Sequence, residues 1–147
     1  MATLASVLLT DDQRPQLVDD CCNLIDAEVG RKKGIKGTMI KAAYKTVKTF
    51  KRGFVPSVVN ALLDDWVTEL EPHYATHLAN GGGAFQGYVA SNSDAVSESL
   101  LKVTDDRAQV TKHKQAKKLY LKLRPSAKAN VVEAVPRLAE IVDRYIG

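Results

Sequence analysis

The sequence predicts an all-α fold: a single compact domain of six or seven helices, bundle-like, with a glycine-rich loop near residues 80–93. Apolar residues recur at steps of three and four over long runs, the period of a helix with one buried face. No segment sustains the apolar–polar alternation of a half-buried strand. Pro15, Pro56, Pro72 and Pro125 precede or open such runs, where a missing backbone N–H costs little. The length of 147 residues suits one domain spanning 1–147, and 45% hydrophobic with 26% charged residues is an ordinary globular composition that favours neither disorder nor a fibrous repeat.

The first helix is expected from about Asp12 to Lys32. Leu17, Cys21 and Leu24 form one apolar line, and Val18, Cys22, Ile25 and Val29 form the adjacent one. Gly30 and Gly34 mark its end. A second runs from about Thr38 to Lys51, with Ile40, Ala43, Tyr44 and Val47 inward and Gly53 after it. The third opens at Pro56 and carries Val59, Leu62, Leu63, Trp66 and Leu70. Tyr74 and Leu78 continue that stripe past Pro72, so a kinked helix or two collinear ones should reach Ala79.

Gly81, Gly82 and Gly83 begin a Gly/Ser/Asn stretch that reads as a long loop. Ser93 reads as the N-cap of a helix bearing Val96, Leu100 and Val103. A short helix surrounds Leu119 to Leu123. Ser126 caps a last one, in which Val131, Val135, Leu138, Val142 and Tyr145 follow at alternating steps of four and three, with Pro136 expected to kink or split it.

No stretch approaches the ~20 apolar residues that a membrane span needs. Met1 to Leu9 is apolar, but it lacks the positive start and small-residue cleavage site of a signal peptide. Cys21 and Cys22 are adjacent, which disfavours a bridge between them, and there is no CxxC pair. Two reduced cysteines fit a cytoplasmic protein.

The net charge of +4 conceals alternating blocks. Residues 1–28 carry −5, 29–63 carry +9, 64–111 carry −6, and 112–128 carry +7. In the first basic block Lys41, Lys45, Lys48 and Arg52 recur at four, three and four, which places them on one helix face. Such a row repels itself unless an anion or an acidic neighbour answers it. A polyanion would do so, and its binding would weaken steeply with salt. Lys112, Lys114, Lys117, Lys118, Lys122 and Arg124 could extend that surface. The ordinary alternative is that the acidic blocks face the basic ones inside the fold. The patch is mostly lysine and poor in exposed aromatics, which argues against base-specific or single-strand recognition.

Catalytic chemistry finds little support. His73 and His77 stand four apart, in line with Asp65 and Glu69, and form a weak candidate metal pair without an HExxH pattern. A polar outer helix face opposite Trp66, Leu70, Tyr74 and Leu78 is the commoner explanation for them. Cys21 and Cys22 lie in the apolar stripe, with no evident base to activate a nucleophile. Gly81–Gly83 lacks the GK[ST] ending of a phosphate loop. Asp105 and Asp106, after Thr104, read as first-turn acids at a helix N-terminus, and Trp66 as a core anchor.

The stretches LLTDDQRPQLVDD (Leu8–Asp20), DAEVG (Asp26–Gly30), GTMIKAAYKTVK (Gly37–Lys48), FVPSVVNALLDDW (Phe54–Trp66) and LRPSAKANVVEAVPRLAEIVDRY (Leu123–Tyr145) resemble a family of small, uncharacterised bacterial proteins. The resemblance covers most of the chain and fades in the glycine-rich stretch. It implies a helical single domain and, because that family has no established activity, neither a catalytic residue nor a cofactor.

The sequence thus leads to a non-enzymatic helical interaction module that binds an unknown protein partner or associates with itself. Non-specific nucleic-acid binding through Lys41, Lys45, Lys48 and Arg52 is the alternative. A metal protein or enzyme centred on His73 and His77 comes third.

Overall fold

The computed structural model describes residues 3–50 and 53–146. Seven helices follow one another among these residues: α1 (Leu4–Leu8), α2 (Arg14–Arg31), α3 (Gly34–Phe50), α4 (Phe54–Ala79), α5 (Phe85–Ser91), α6 (Ser93–Val110) and α7 (Lys114–Ile146). No strand occurs among them, and they share one core, so the chain is an all-α single domain. No helix of the described residues is long and apolar enough to cross a membrane.

The apolar lines set the packing. Leu17, Val59, Leu63, Val67, Val96, Val135 and Val142 meet in the core from α2, α4, α6 and α7. Polar links then fix the register of each pair. Between α2 and α7, Asp20 accepts from the Tyr145 hydroxyl at 2.6 Å, Glu28 pairs with Arg137, and Lys32 reaches Glu133 at 3.1 Å. Steps of eight and four along α2 match steps of eight and four back along α7, which makes the two helices antiparallel neighbours. Lys102 with Glu69, and His73 with Ser99, set α4 against α6 in the same sense.

Two short helices depend on carboxylates from elsewhere. The apolar start of the chain is α1, a five-residue helix closed by a capping box between Thr3 and Ser6. So short a helix does not hold by itself. Leu4 and Leu8 are buried in the core, each contributing about 2 kcal/mol, and Glu71 of α4 accepts the Ala5 N–H at 2.8 Å.

The predicted loop of residues 80–93 is a glycine turn followed by α5. Gly81, Gly82 and Gly83 all have positive φ, a conformation that favours glycine. Phe85 and Val89, four apart, are buried. Asp143 of α7 accepts the N–H groups of Phe85 and Gln86 at 2.8 and 3.0 Å, acting as the N-terminal cap that the local sequence lacks.

Other expectations also change. Ser93 is the first residue of α6 and does not cap it, because Asn92 occupies the cap position. Asp105 and Asp106 lie toward the C-terminal end of α6 and not in a first turn. The segment at Leu119–Leu123 and the last helix are one 33-residue helix, α7, with Pro125 and Pro136 inside it. Ser126 is interior, its hydroxyl donating to the Leu123 carbonyl. Helix α4 is one helix through Pro72 to Ala79, the first of the two forms expected there. A proline orphans the carbonyl four residues back, here Thr68, Leu121 and Val132. Thr68 and Leu121 are exposed, so water can satisfy two of those groups and the helices continue.

Two α2/α3 glycine substitutions should move stability in opposite directions. A Cβ on Gly37 would lie 2.6 Å from the backbone carbon of Lys32, whereas one on Gly30 would meet nothing within 4 Å. Gly37→Ala is expected to cost about 1–3 kcal/mol, and Gly30→Ala to add about 0.5–1 kcal/mol, both read from urea unfolding midpoints. The hydrogen bonds from Arg137 hold the Glu28 carboxyl below its ordinary range, against the opposing effect of burial. The stabilisation is therefore complete above the ordinary carboxylate range and is lost as the pH falls through the depressed value. Glu28→Gln should lower stability by about 2 kcal/mol at neutral pH and flatten the acid limb of a stability–pH profile.

Candidate functional site

The basic blocks are answered unevenly. On α2 and α3, Arg31 pairs with Glu28, Lys32 with Glu133, and Lys48 with Asp26 at 3.4 Å. Lys33, Lys36, Lys41 and Lys45 are exposed and make no ion pair among the described residues. Of the predicted row, Lys41 and Lys45 thus face solvent unpaired and Lys48 is partly neutralised, while Arg52 lies outside the described residues. Tyr44, read as a core residue, is half-buried. Its hydroxyl donates to Asp26, and Lys48 Nζ sits 5.2 Å from its ring centroid. Burial first, and the Asp26 hydrogen bond second, raise its pKa.

The second block behaves likewise. Asp105 holds Arg124 through two hydrogen bonds at 2.7 and 3.0 Å and also accepts from the Tyr120 hydroxyl. Burial and that bond to Asp105 push the Tyr120 hydroxyl up to about 12. Lys128 bridges Asp94 and Glu98. Lys112, Lys114, Lys118 and Lys122 remain exposed and unpaired. Acidic side chains therefore neutralise some members of each basic block, while the lysines just named make no ion pair among the described residues. Large exposed apolar residues occur on or beside the same segments: Ile35 (84%) and Met39 (48%) on α3, Val110 (72%) at the end of α6, and Leu121 (58%) on α7.

Two cavities lie inside this frame. One, of about 310 Å³, is walled by apolar side chains of α2, α4, α6 and α7, including Leu24, Trp66, Leu100, Val131 and Leu138. Its charged neighbours Glu28 and Lys32 are already paired. Trp66 is a half-buried wall residue whose indole N–H donates to the Leu100 carbonyl at 3.3 Å. The other, of about 320 Å³, lies between α3, α4, α6 and α7. Val47, Phe54, Leu62 and Leu123 contribute apolar wall, and Arg107, His113 and Lys117 contribute basic or titratable groups. Thr104 lines both, its hydroxyl bonded to that of Tyr120 at 2.8 Å.

The histidines are not on an outer polar face. His77 is buried, with Nε2 3.0 Å from the Gly83 carbonyl oxygen, and so ties the glycine turn to α4. His73 Nε2 meets the Ser99 hydroxyl at 2.9 Å, and burial lowers its pKa. Both belong to a ring cluster with Tyr74, Phe85 and Tyr88. No group of three or more His, Cys, Asp or Glu among the described residues could hold a metal ion. Cys21 and Cys22 are free thiols. Burial, then the neighbouring Cys22 and Asp20, pushes the Cys21 thiol up to about 12, the opposite of what a nucleophile needs. The apolar spacing of Phe85, Tyr88 and Val89, at steps of three and four, is the sequence signal for α5, outweighed there by glycine, serine and asparagine.

Thiol inertness can be checked directly. Cys21 is expected to resist alkylation by iodoacetamide at pH 8 in the native state and to react once the chain is unfolded in urea, as read by mass spectrometry.

No curated protein and no solved structure matches this chain. A match over residues 4–146, nearly the whole length, is found with a family of unknown function, DUF6918, and the chain belongs to that family.

Proposed function

We propose that the chain is a non-enzymatic interaction module that engages an acidic protein surface through α3, the end of α6 and the first half of α7. The coincidence of unpaired lysines with the large exposed apolar residues carries this reading. Lysines supply steering and register, and apolar contacts such as Ile35 and Leu121 supply the desolvated centre that an interface needs. A second copy of the chain offers such a surface: Asp11, Asp12, Asp19, Asp65, Asp106 and Glu140 are exposed acids with no ion pair among the described residues. The bacterial cytoplasm is the setting we infer, from the two unbridged cysteines and the resemblance described above.

A second reading is non-sequence-specific polyanion binding. It is favoured by the unpaired state of Lys41 and Lys45 together with Lys114, Lys118 and Lys122. Phosphates would be contacted as point charges, without base readout.

Light scattering and fluorescence anisotropy separate the two. Under the first reading the mass exceeds the monomer, or polyglutamate binds, at 50 mM salt, and Ile35→Ser with Met39→Ser weakens the self-association. Under the second, a duplex DNA probe binds with a salt slope that falls by about 0.9 for each phosphate contact removed in a Lys41→Gln, Lys45→Gln, Lys118→Gln, Lys122→Gln variant. A monomer that binds neither polyglutamate nor DNA would remove both.

A further inference from the structure

The cavity between α3, α4, α6 and α7 has an apolar interior and a basic rim. Leu62 is buried, and Val47, Val58, Leu119 and Leu123 are half-buried beside it. Arg107 and His113 are exposed and Lys117 is half-buried, with the hydroxyls of Ser57 and Thr111 in the same wall. No carboxylate among the described residues lines it. Arg107 and Lys117 make no ion pair among the described residues, and the nearby Asp105 is engaged by Arg124 and Tyr120. A cationic rim left unanswered above apolar walls is complementary to a molecule that is anionic at one end and apolar along the rest. The neighbouring 310 Å³ cavity lacks this character, because its charged groups are already paired.

We propose that this cavity binds a single-chain anionic amphiphile, with its head group on Arg107 and Lys117 and its chain among Val47, Val58, Leu62 and Leu123. Volume sets the chain length. A void of about 150 Å³ holds benzene, so 320 Å³ accommodates on the order of ten to twelve carbons. A medium-chain carboxylate fits both the size and the charge. This site goes beyond the macromolecular surface proposed above: it shares the end of α6 and the first half of α7 with that surface, but Arg107 and Lys117 are not among the lysines that carry that reading.

Calorimetric titration with decanoate, below its micellar concentration, tests the site. Decanoate should bind one to one, decanol at least tenfold more weakly, and butyrate should give no measurable heat. Arg107→Gln with Lys117→Gln should bring decanoate down to the affinity of decanol and leave decanol unchanged. Ala108→Leu and Ala116→Leu, made separately, should fill the void and weaken decanoate at least tenfold, with a thermal melt showing which variant retains the fold. The proposal is overturned if decanoate does not bind or binds no better than decanol, or if a folded cavity-filling variant keeps wild-type affinity. Binding to phosphatidylglycerol vesicles without binding to free decanoate would likewise overturn it, by assigning the basic rim to a membrane surface.

Discussion

A carboxylate only 7% exposed stays ionised in a helical bundle when a cation is fixed against it, and Arg137 supplies that cation to Glu28. The pair lies in the middle of the α2–α7 ladder, between Asp20–Tyr145 and Lys32–Glu133. Apolar packing alone would let two smooth helices slide by a turn. Directional bonds at three points remove that freedom, and the register of α2 on α7 then fixes much else. It places the apolar stripe of α2 over Val135 and Val142, and it holds the 310 Å³ cavity between α2, α4, α6 and α7. Because α3 follows α2 after a two-residue connection, it also brings Val47 toward the first half of α7.

Charge in this molecule is used twice. Inward or lateral acids serve the fold: Glu71 and Asp143 receive the free N–H groups of α1 and α5, and Asp26, Asp105 and Glu133 neutralise the near edge of the basic segments. What remains outward is a set of lysines on α3 and α7 with no ion pair among the described residues. Surface pairs of this kind contribute little to stability individually. Their larger effect is to decide which cations stay available for a partner. The two cavities differ for the same reason, since the groups beside one are paired and the cations beside the other are not.

The ring cluster of His73, Tyr74, His77, Phe85 and Tyr88 joins the C-terminal half of α4 to α5. In sequence the two histidines suggested a chelating pair. In space each has found its own hydrogen-bond partner, Ser99 for one and the Gly83 carbonyl for the other. His77 thereby fastens the three-glycine turn to α4, and His73 ties α4 to α6.

The sequence by itself determined the helical class, the buried stripes and the positions of most helices, because 3.6-residue periodicity is a local property that a linear reading recovers. It also determined where positive and negative charge concentrate. Only the tertiary structure decided which of those charges meet, because Glu28 and Arg137 are 109 residues apart and no local pattern couples them. Helices α1 and α5 belong to that second group: their caps come from Glu71 and Asp143, far along the chain. So do the choice of one helix over two at Pro72 and Pro136, and the merging of the segment at Leu119–Leu123 with the last helix into α7. Local spacing sets what each segment can form, and contacts between distant segments set which of those options gains enough free energy to persist.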